Sequence, residues 1–166
     1  LAGLTDPVAF GDFWYRRYRE ETAEKDDIPL KPGAGELLRY LQQCGVPVAV
    51  ATSSMTAQAF DKLGKAGVLD CVCSIVGGDQ VENSKPHPEI YLKAAANLAV
   101  EPAECLALED SENGVRSAVA AGMRVIQVPD FVEPSDELLR LGHSVFADLE
   151  EVLEWVRDLR ESNPVA

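Results

Sequence analysis

Short polar groups follow the apolar runs of this sequence, and several contain residue types that handle phosphate or a divalent cation. Thr52, Ser53 and Ser54 come directly after Val46–Ala51. Hydroxyls and backbone N–H groups near the start of a helix suit an anion, because unpaired amides and the helix dipole both favour negative charge. The competing reading is that Thr52 or Ser53 merely caps the helix. Lys85 stands in Ser84-Lys85-Pro86-His87-Pro88, where two prolines stiffen the backbone. A lysine fixed in this way can hold a phosphate oxygen as a point charge; an ordinary surface lysine is the plain alternative. His87, isolated beside the prolines, reads as structural. Glu109 and Asp110 close the run Cys105–Leu108 and lead into Ser111. Adjacent carboxylates at the end of a buried strand are costly unless a cation or strong donors compensate them. Such hard oxygen ligands suit Mg²⁺, which takes one or two protein carboxylates plus waters and substrate phosphate. Asp110 or Ser111 as an N-cap is the other reading. Asp130, after Pro129, reads as the start of a turn.

The elements that must position these groups alternate along the chain. Pro32 and Gly33 precede a helix with Leu37, Leu38, Leu41 and Cys44, which Gly45 ends. Val46–Ala51 reads as a strand buried on both faces. A helix through Phe60 and Leu63 follows, then a strand at Cys73–Val76. Pro88 opens a helix with Ile90, Tyr91, Ala94 and Leu98. Cys105–Leu108 is the next strand, and a helix from Glu112 to Ala121 stops at Gly122. Val125–Val128 is a strand, Ser135–Leu141 a short helix and Val145–Ala147 a last strand. Asp148 and Glu151 form a capping box for the closing helix, with Leu149, Val152, Leu153 and Val156 facing inward. This alternation predicts an α/β fold with a doubly wound parallel sheet, whose ligands bind at the carboxyl ends of the strands. The N-terminal stretch differs: Asp6-Pro7 starts a helix on which Phe10, Phe13, Trp14 and Tyr18 form one aromatic stripe. That stripe reads as core packing rather than a ligand box.

Composition narrows the function classes. The 166 residues suffice for one domain, or one with a small appendage, and 28 acidic against 15 basic side chains give a net charge of −13. That acidity argues against nucleic acid or an anionic membrane as partner. No run is long and apolar enough for a membrane span, and the start lacks the pattern of a signal peptide. Cys44, Cys71, Cys73 and Cys105 form no CxxC pair and read as reduced, buried thiols of a cytoplasmic protein. Neither histidine is spaced with a cysteine as a zinc ligand pair. A hydroxyl, a lysine and a carboxylate pair on consecutive strand ends describe a Mg²⁺-dependent phosphate site and point to phosphoryl-transfer chemistry.

The same segments carry a resemblance. Val48-Ala-Val-Ala-Thr52-Ser53-Ser54, Ser84-Lys85-Pro86-His87-Pro88-Glu89-Ile90-Tyr91 and Leu108-Glu109-Asp110-Ser111-Glu112-Asn113-Gly114 resemble the second, third and fourth motifs of the haloacid dehalogenase (HAD) superfamily, in that order. The likeness is closest to the branch with a small helical cap, like 2-deoxyglucose-6-phosphatase and β-phosphoglucomutase. Leu30-Lys-Pro-Gly33 looks like that branch's return from cap to core. The resemblance implies a HAD-like, Rossmann-type core over 29–166 and a remnant of the helical cap over 1–28. It implies that Thr52 and the Ser53 backbone bind the transferring phosphoryl group, that Lys85 neutralises its charge, and that Asp110 with Glu109 anchors Mg²⁺. The family's first motif, Asp-x-Asp, does not occur; Asp148-x-Glu150 is the nearest approach. The first Asp of that motif is the nucleophile, so the resemblance places the nucleophile and the central strand that bears it upstream of Leu1. A truncated or incompletely recorded chain is the expectation.

The function expected is therefore a Mg²⁺-dependent phosphatase of small phosphomonoesters, sugar phosphates foremost, working through an aspartyl-phosphate. The alternatives are a phosphomutase like β-phosphoglucomutase and a non-catalytic fragment that binds phosphate. A signalling receiver domain fits less well, because Lys85 precedes the acidic pair in the chain. The partner expected is a small phosphorylated metabolite; which one, and the oligomeric state, are left open.

Overall fold

The computed structural model describes residues 28–130 and 132–162. The aromatic helix expected over Phe10–Tyr18, and with it the cap remnant, lies outside those residues. The described chain runs α1 (Ala34–Gln43), β1 (Ala49–Ala51), α2 (Thr56–Lys65), β2 (Ser74–Val76), α3 (Glu89–Leu98), β3 (Leu106–Glu109), α4 (Glu112–Ala120), β4 (Arg124–Gln127), α5 (Asp136–Leu139), β5 (Ser144–Val145) and α6 (Leu149–Ser162). None of these helices is long and apolar enough to cross a membrane.

All strand pairs are parallel, as the alternation of elements predicts. They form two groups: β1 with β2, and β3–β4–β5 in that order. One helical layer covers a core of Ile90, Tyr91 and Ala94 from α3 and Val115 and Ala118 from α4, packed on Val76, Ala107 and Val125. On the opposite face Leu37 of α1 and Val152 and Leu153 of α6 pack on Ile126, with Leu108 and Val128 beside them. Successive strand residues thus feed opposite cores, which is the signature of a doubly wound sheet.

The boundary between the two groups has a definite edge chemistry. Thr52 N–H donates to the Val76 carbonyl and Cys73 N–H to that of Val48, so the even-numbered residues of β1 face β2. Alternation then turns the N–H and C=O groups of Ala49 and Ala51 away from it. By the same parity Cys105 and Glu109 bond to β4, leaving Leu106 and Leu108 with outward backbone groups. Among the described residues β1 and β3 are consequently edge strands.

Three expectations change in detail. The strand predicted at Val46–Ala51 shortens to Ala49–Ala51, because Val46 N–H closes the end of α1 on the Leu41 carbonyl and Pro47 has no N–H to give. Its residues are half-buried rather than buried on both faces, as befits an edge. The thiols are not uniformly buried: Cys71 is, Cys44 and Cys105 are half-buried, and Cys73 is exposed. The closing helix is capped as expected at Asp148, whose Oδ1 accepts from Glu151 N–H at 2.9 Å. Glu151, however, accepts from Ala147 N–H at 2.7 Å, one residue earlier than a capping box requires.

Candidate active site

The turn after β1 holds its shape through its own polar groups. Ser54 N–H donates to Thr52 Oγ1 at 3.1 Å, and the Ser54 carbonyl accepts from Gly78 N–H at 2.9 Å. Neither Thr52 nor Ser53 caps α2. The first free amide of that helix, Thr56 N–H, donates instead to Asp79 Oδ1 at 2.6 Å, and Thr56 Oγ1 donates to the same oxygen at 2.8 Å. These bonds hold the Asp79 carboxyl below the usual range. Because a distant loop caps the helix, the Thr52 hydroxyl and the Ser53 backbone are left to the cavity they line.

Lys85 is placed by a braced loop. The Glu89 carboxylate at the start of α3 accepts from Glu82 N–H at 2.8 Å and Asn83 N–H at 2.9 Å. His87 is structural, as its setting between prolines suggests. Its carbonyl accepts from the buried Ser117 hydroxyl at 2.7 Å, and Nδ1 accepts from Glu89 N–H at 3.3 Å. The Lys85 side chain therefore reaches the ends of both edge strands. Its Nζ donates to the Ala51 carbonyl of β1 at 3.1 Å and to Glu109 Oε1 at the end of β3.

Glu109 is the most heavily engaged carboxylate of the site. Oε1 accepts from both Lys85 and the Tyr91 hydroxyl, and Oε2 from the Ser111 hydroxyl at 3.1 Å. Burial raises its carboxyl, but the Lys85 and Tyr91 bonds and the ammonium's charge outweigh that, leaving it below the usual range. Ser111 also caps α4, accepting from Gly114 N–H at 3.2 Å. Gly114 must lack a side chain: a Cβ there would lie 1.9 Å from Glu109 Oε2.

Asp110 stands apart from this cluster. It is exposed, lines the same cavity, and takes no hydrogen bond or ion pair from the described residues. Asp130, read as a turn residue, pairs with Lys31 at 2.9 Å, both side chains about half exposed. Such a pair contributes little to stability.

Thr52, Ser53, Lys85, Glu109 and Asp110 thus line one cavity of about 480 Å³ at the carboxyl ends of β1 and β3. Leu37, Leu38, Leu108 and Leu149 add an apolar part to its lining. Lysine, a free carboxylate and hydroxyls around a common space can bind a phosphoryl group and a hard cation together. The described residues hold no cluster of three or more His, Cys, Asp and Glu. A metal at this place would draw on the adjacent pair alone among them, and such a sparse donor set suits Mg²⁺. Of the two, Asp110 is free to coordinate, while Glu109 is already committed to Lys85, Tyr91 and Ser111. Sequence reasoning passed over Tyr91 as a core aromatic, although it lies six residues from Lys85 in the same motif.

The family model described as haloacid dehalogenase-like hydrolase matches residues 5–128. The bifunctional riboflavin kinase/FMN phosphatase of Arabidopsis thaliana is 36% identical over 155 residues, 93% of this chain and 39% of the relative. Hexitol phosphatase B of Escherichia coli K12 is 34% identical over 134 residues, covering 71% of this chain and 60% of the relative. The chain therefore spans less than two thirds of either protein. Among solved structures, CbbY of Rhodobacter sphaeroides in complex with xylulose-(1,5)bisphosphate superimposes with a TM-score of 0.74 at 30% identity, covering 91% of this chain and 69% of that one.

Proposed function

The chain belongs to the haloacid dehalogenase-like hydrolase family, and on that premise we propose that it acts as a Mg²⁺-dependent phosphatase of small phosphomonoesters, sugar phosphates foremost. The observation that carries this reading is the meeting of Lys85, Thr52 and Asp110 in one cavity between the edges of β1 and β3. The phosphatase relatives and the sugar bisphosphate in the CbbY structure support the substrate class.

In this reading the Thr52 hydroxyl and the Ser53 N–H donate to phosphoryl oxygens, and Lys85 balances their charge. Positioning and neutralisation of this kind supply most of what phosphoryl transfer requires. Asp110, with Glu109 behind it, would hold Mg²⁺, which when bound adds further positive charge against the phosphate. In this reading the nucleophile is an aspartate of the family's Asp-x-Asp motif, which this sequence does not contain. Its carboxylate forms a bond to phosphorus as the ester P–O bond breaks, and the alcohol leaves with a proton from the motif's second aspartate. Water then hydrolyses the acyl phosphate, releasing inorganic phosphate and restoring the carboxylate. The free parallel edges of β1 and β3 and the apolar part of the cavity's lining support a strand between them.

The test is phosphate release by the complete gene product from a panel of sugar phosphates, with Mg²⁺ and with a chelator. Chelator-sensitive release that Asp110→Asn abolishes is expected. Normal Mg²⁺-dependent release by Asp110→Asn would overturn the metal assignment. Isomerised sugar phosphate without release would point to a phosphomutase, and phosphate binding without either product to a non-catalytic binder.

A further inference from the structure

The phenol of Tyr91 touches both halves of the Lys85–Glu109 pair. Its hydroxyl donates to Glu109 Oε1. Its oxygen also lies 3.4 Å from Lys85 Nζ as an acceptor, and the ammonium sits 4.9 Å from the ring centroid. An ammonium has three hydrogens, and here all three have acceptors: the Ala51 carbonyl, Glu109 and, most weakly, Tyr91.

We infer that Tyr91 is a positioning residue, which holds Glu109 with its hydroxyl hydrogen and keeps the third hydrogen of Lys85 on a weak, replaceable acceptor until a phosphoryl oxygen takes its place. The inference rests on the phosphatase reading of this cavity. Two features make Tyr91 suited to the task. It is buried at 7% exposure, on the first turn of α3, so its ring is fixed by the core that also holds Ile90 and Ala94. Its hydroxyl stands against Glu109 Oε1, so its single hydrogen has a carboxylate oxygen to donate to. Without the hydroxyl, Glu109 Oε1 would keep Lys85 as its only strong donor. The ammonium would then be drawn toward Glu109 and away from the cavity. Tyr91 does not line that cavity, so it acts through the other two residues. Its effect should fall on the step in which phosphoryl charge is redistributed rather than on substrate capture.

The experiment compares the complete gene product with Tyr91→Phe, Glu109→Gln and the double variant. Tyr91→Phe keeps the ring and removes only the hydroxyl. It is expected to lower kcat about 10- to 100-fold, the usual cost of losing a partner that orients a catalytic group. KM should stay within about threefold, since ground-state binding is left to Thr52, Ser53 and the sugar contacts. The double variant should be no slower than Glu109→Gln alone, because both changes break one linkage. An unchanged kcat, a loss confined to KM, or fully additive effects would each overturn the inference. If Tyr91→Phe folds poorly by circular dichroism, Tyr91→His restores a ring with a donor. Failure of Tyr91→His to recover kcat relative to Tyr91→Leu overturns it too.

A second probe separates this inference from the reading beneath it. If the wild-type protein binds orthovanadate, a mimic of five-coordinate phosphorus, but releases phosphate from no ester, the phosphatase reading falls. Tyr91 is then judged by vanadate affinity, expected to drop about tenfold in Tyr91→Phe, and an unchanged affinity overturns it. If the wild type binds neither vanadate nor phosphate, both fall.

Discussion

Lys85 and Glu109 meet at the carboxyl end of β3, with side-chain exposures of 10% and 7%. A buried ion pair of this kind is weak support for stability as a pair, but removing one partner strands the other. Lys85→Met should therefore destabilise the protein by about 3 kcal/mol or more, by the measured cost of breaking buried pairs. It should also abolish phosphate release. Urea unfolding measures the first, and a loss below about 1 kcal/mol would show that water reaches Glu109 once the ammonium is gone.

The same pair gives a pH dependence. The Glu109 carboxyl lies below its ordinary value in the folded protein. A depressed carboxyl contributes stability above its unfolded pKa, about 4.3, and loses it as pH falls through the lower folded value. Glu109→Gln should thus be less stable than wild type near neutrality, with the gap closing below about pH 4. Thermal unfolding from pH 3 to 7 measures it, and a gap independent of pH would sink the assignment.

How much of this was legible in the sequence depends on distance along the chain. Thr52 and Asp110 could be singled out because apolar runs mark strands, and the residues just after a run stand at the sheet's carboxyl edge; Lys85, in a loop well past Val76, stood out by the prolines after it. Gly45 and Gly122 marked helix ends for an equally local reason, their positive φ of 68° and 80°. What could not be read required a partner far away. Asp79 caps a helix that begins 23 residues earlier, and nothing near Thr56 signals it. Tyr91 sits at helical spacing with Ile90 and Ala94, a pattern that reads as core whether or not the hydroxyl is used. The pair Glu109 and Asp110 looked equivalent in the sequence. Only the packing of Lys85, Tyr91 and Ser111 around one of them shows that the two carboxylates have different surroundings.

That difference separates the two acidic substitutions. Asp110→Asn removes a charge that no described residue balances and that is exposed to solvent. Its melting temperature should stay within about 2 °C of wild type, as for surface substitutions generally. Phosphate release should fall by about two orders of magnitude or more, the scale of losing one electrostatic contact to the reacting group. Differential scanning fluorimetry beside the phosphate assay checks both. A large loss of stability would mean that Asp110 is tied into the fold, and full activity that it is not the metal carboxylate.

Gly114 offers the sharpest steric test, because its missing side chain acts only by leaving room. A methyl group at this place would lie 1.9 Å from Glu109 Oε2 and 2.0 Å from the carboxyl carbon. Neither neighbour can yield freely. The glycine is locked in the first turn of α4 by the Ser111 cap, and Glu109 is locked by Lys85 and Tyr91. Alanine would ordinarily favour a helix over glycine by about 1 kcal/mol, so helix propensity and site geometry predict opposite signs. Overpacking at a well-filled position costs about 1–3 kcal/mol, enough to reverse the propensity gain. Gly114→Ala should therefore lower stability and, by expelling Glu109 from Lys85, reduce phosphate release more than its folded fraction explains. Pairing it with Glu109→Ala, which vacates the space, should restore most of the stability but none of the activity. If Gly114→Ala proves more stable than wild type, Glu109 is not seated where the helix start requires it to be.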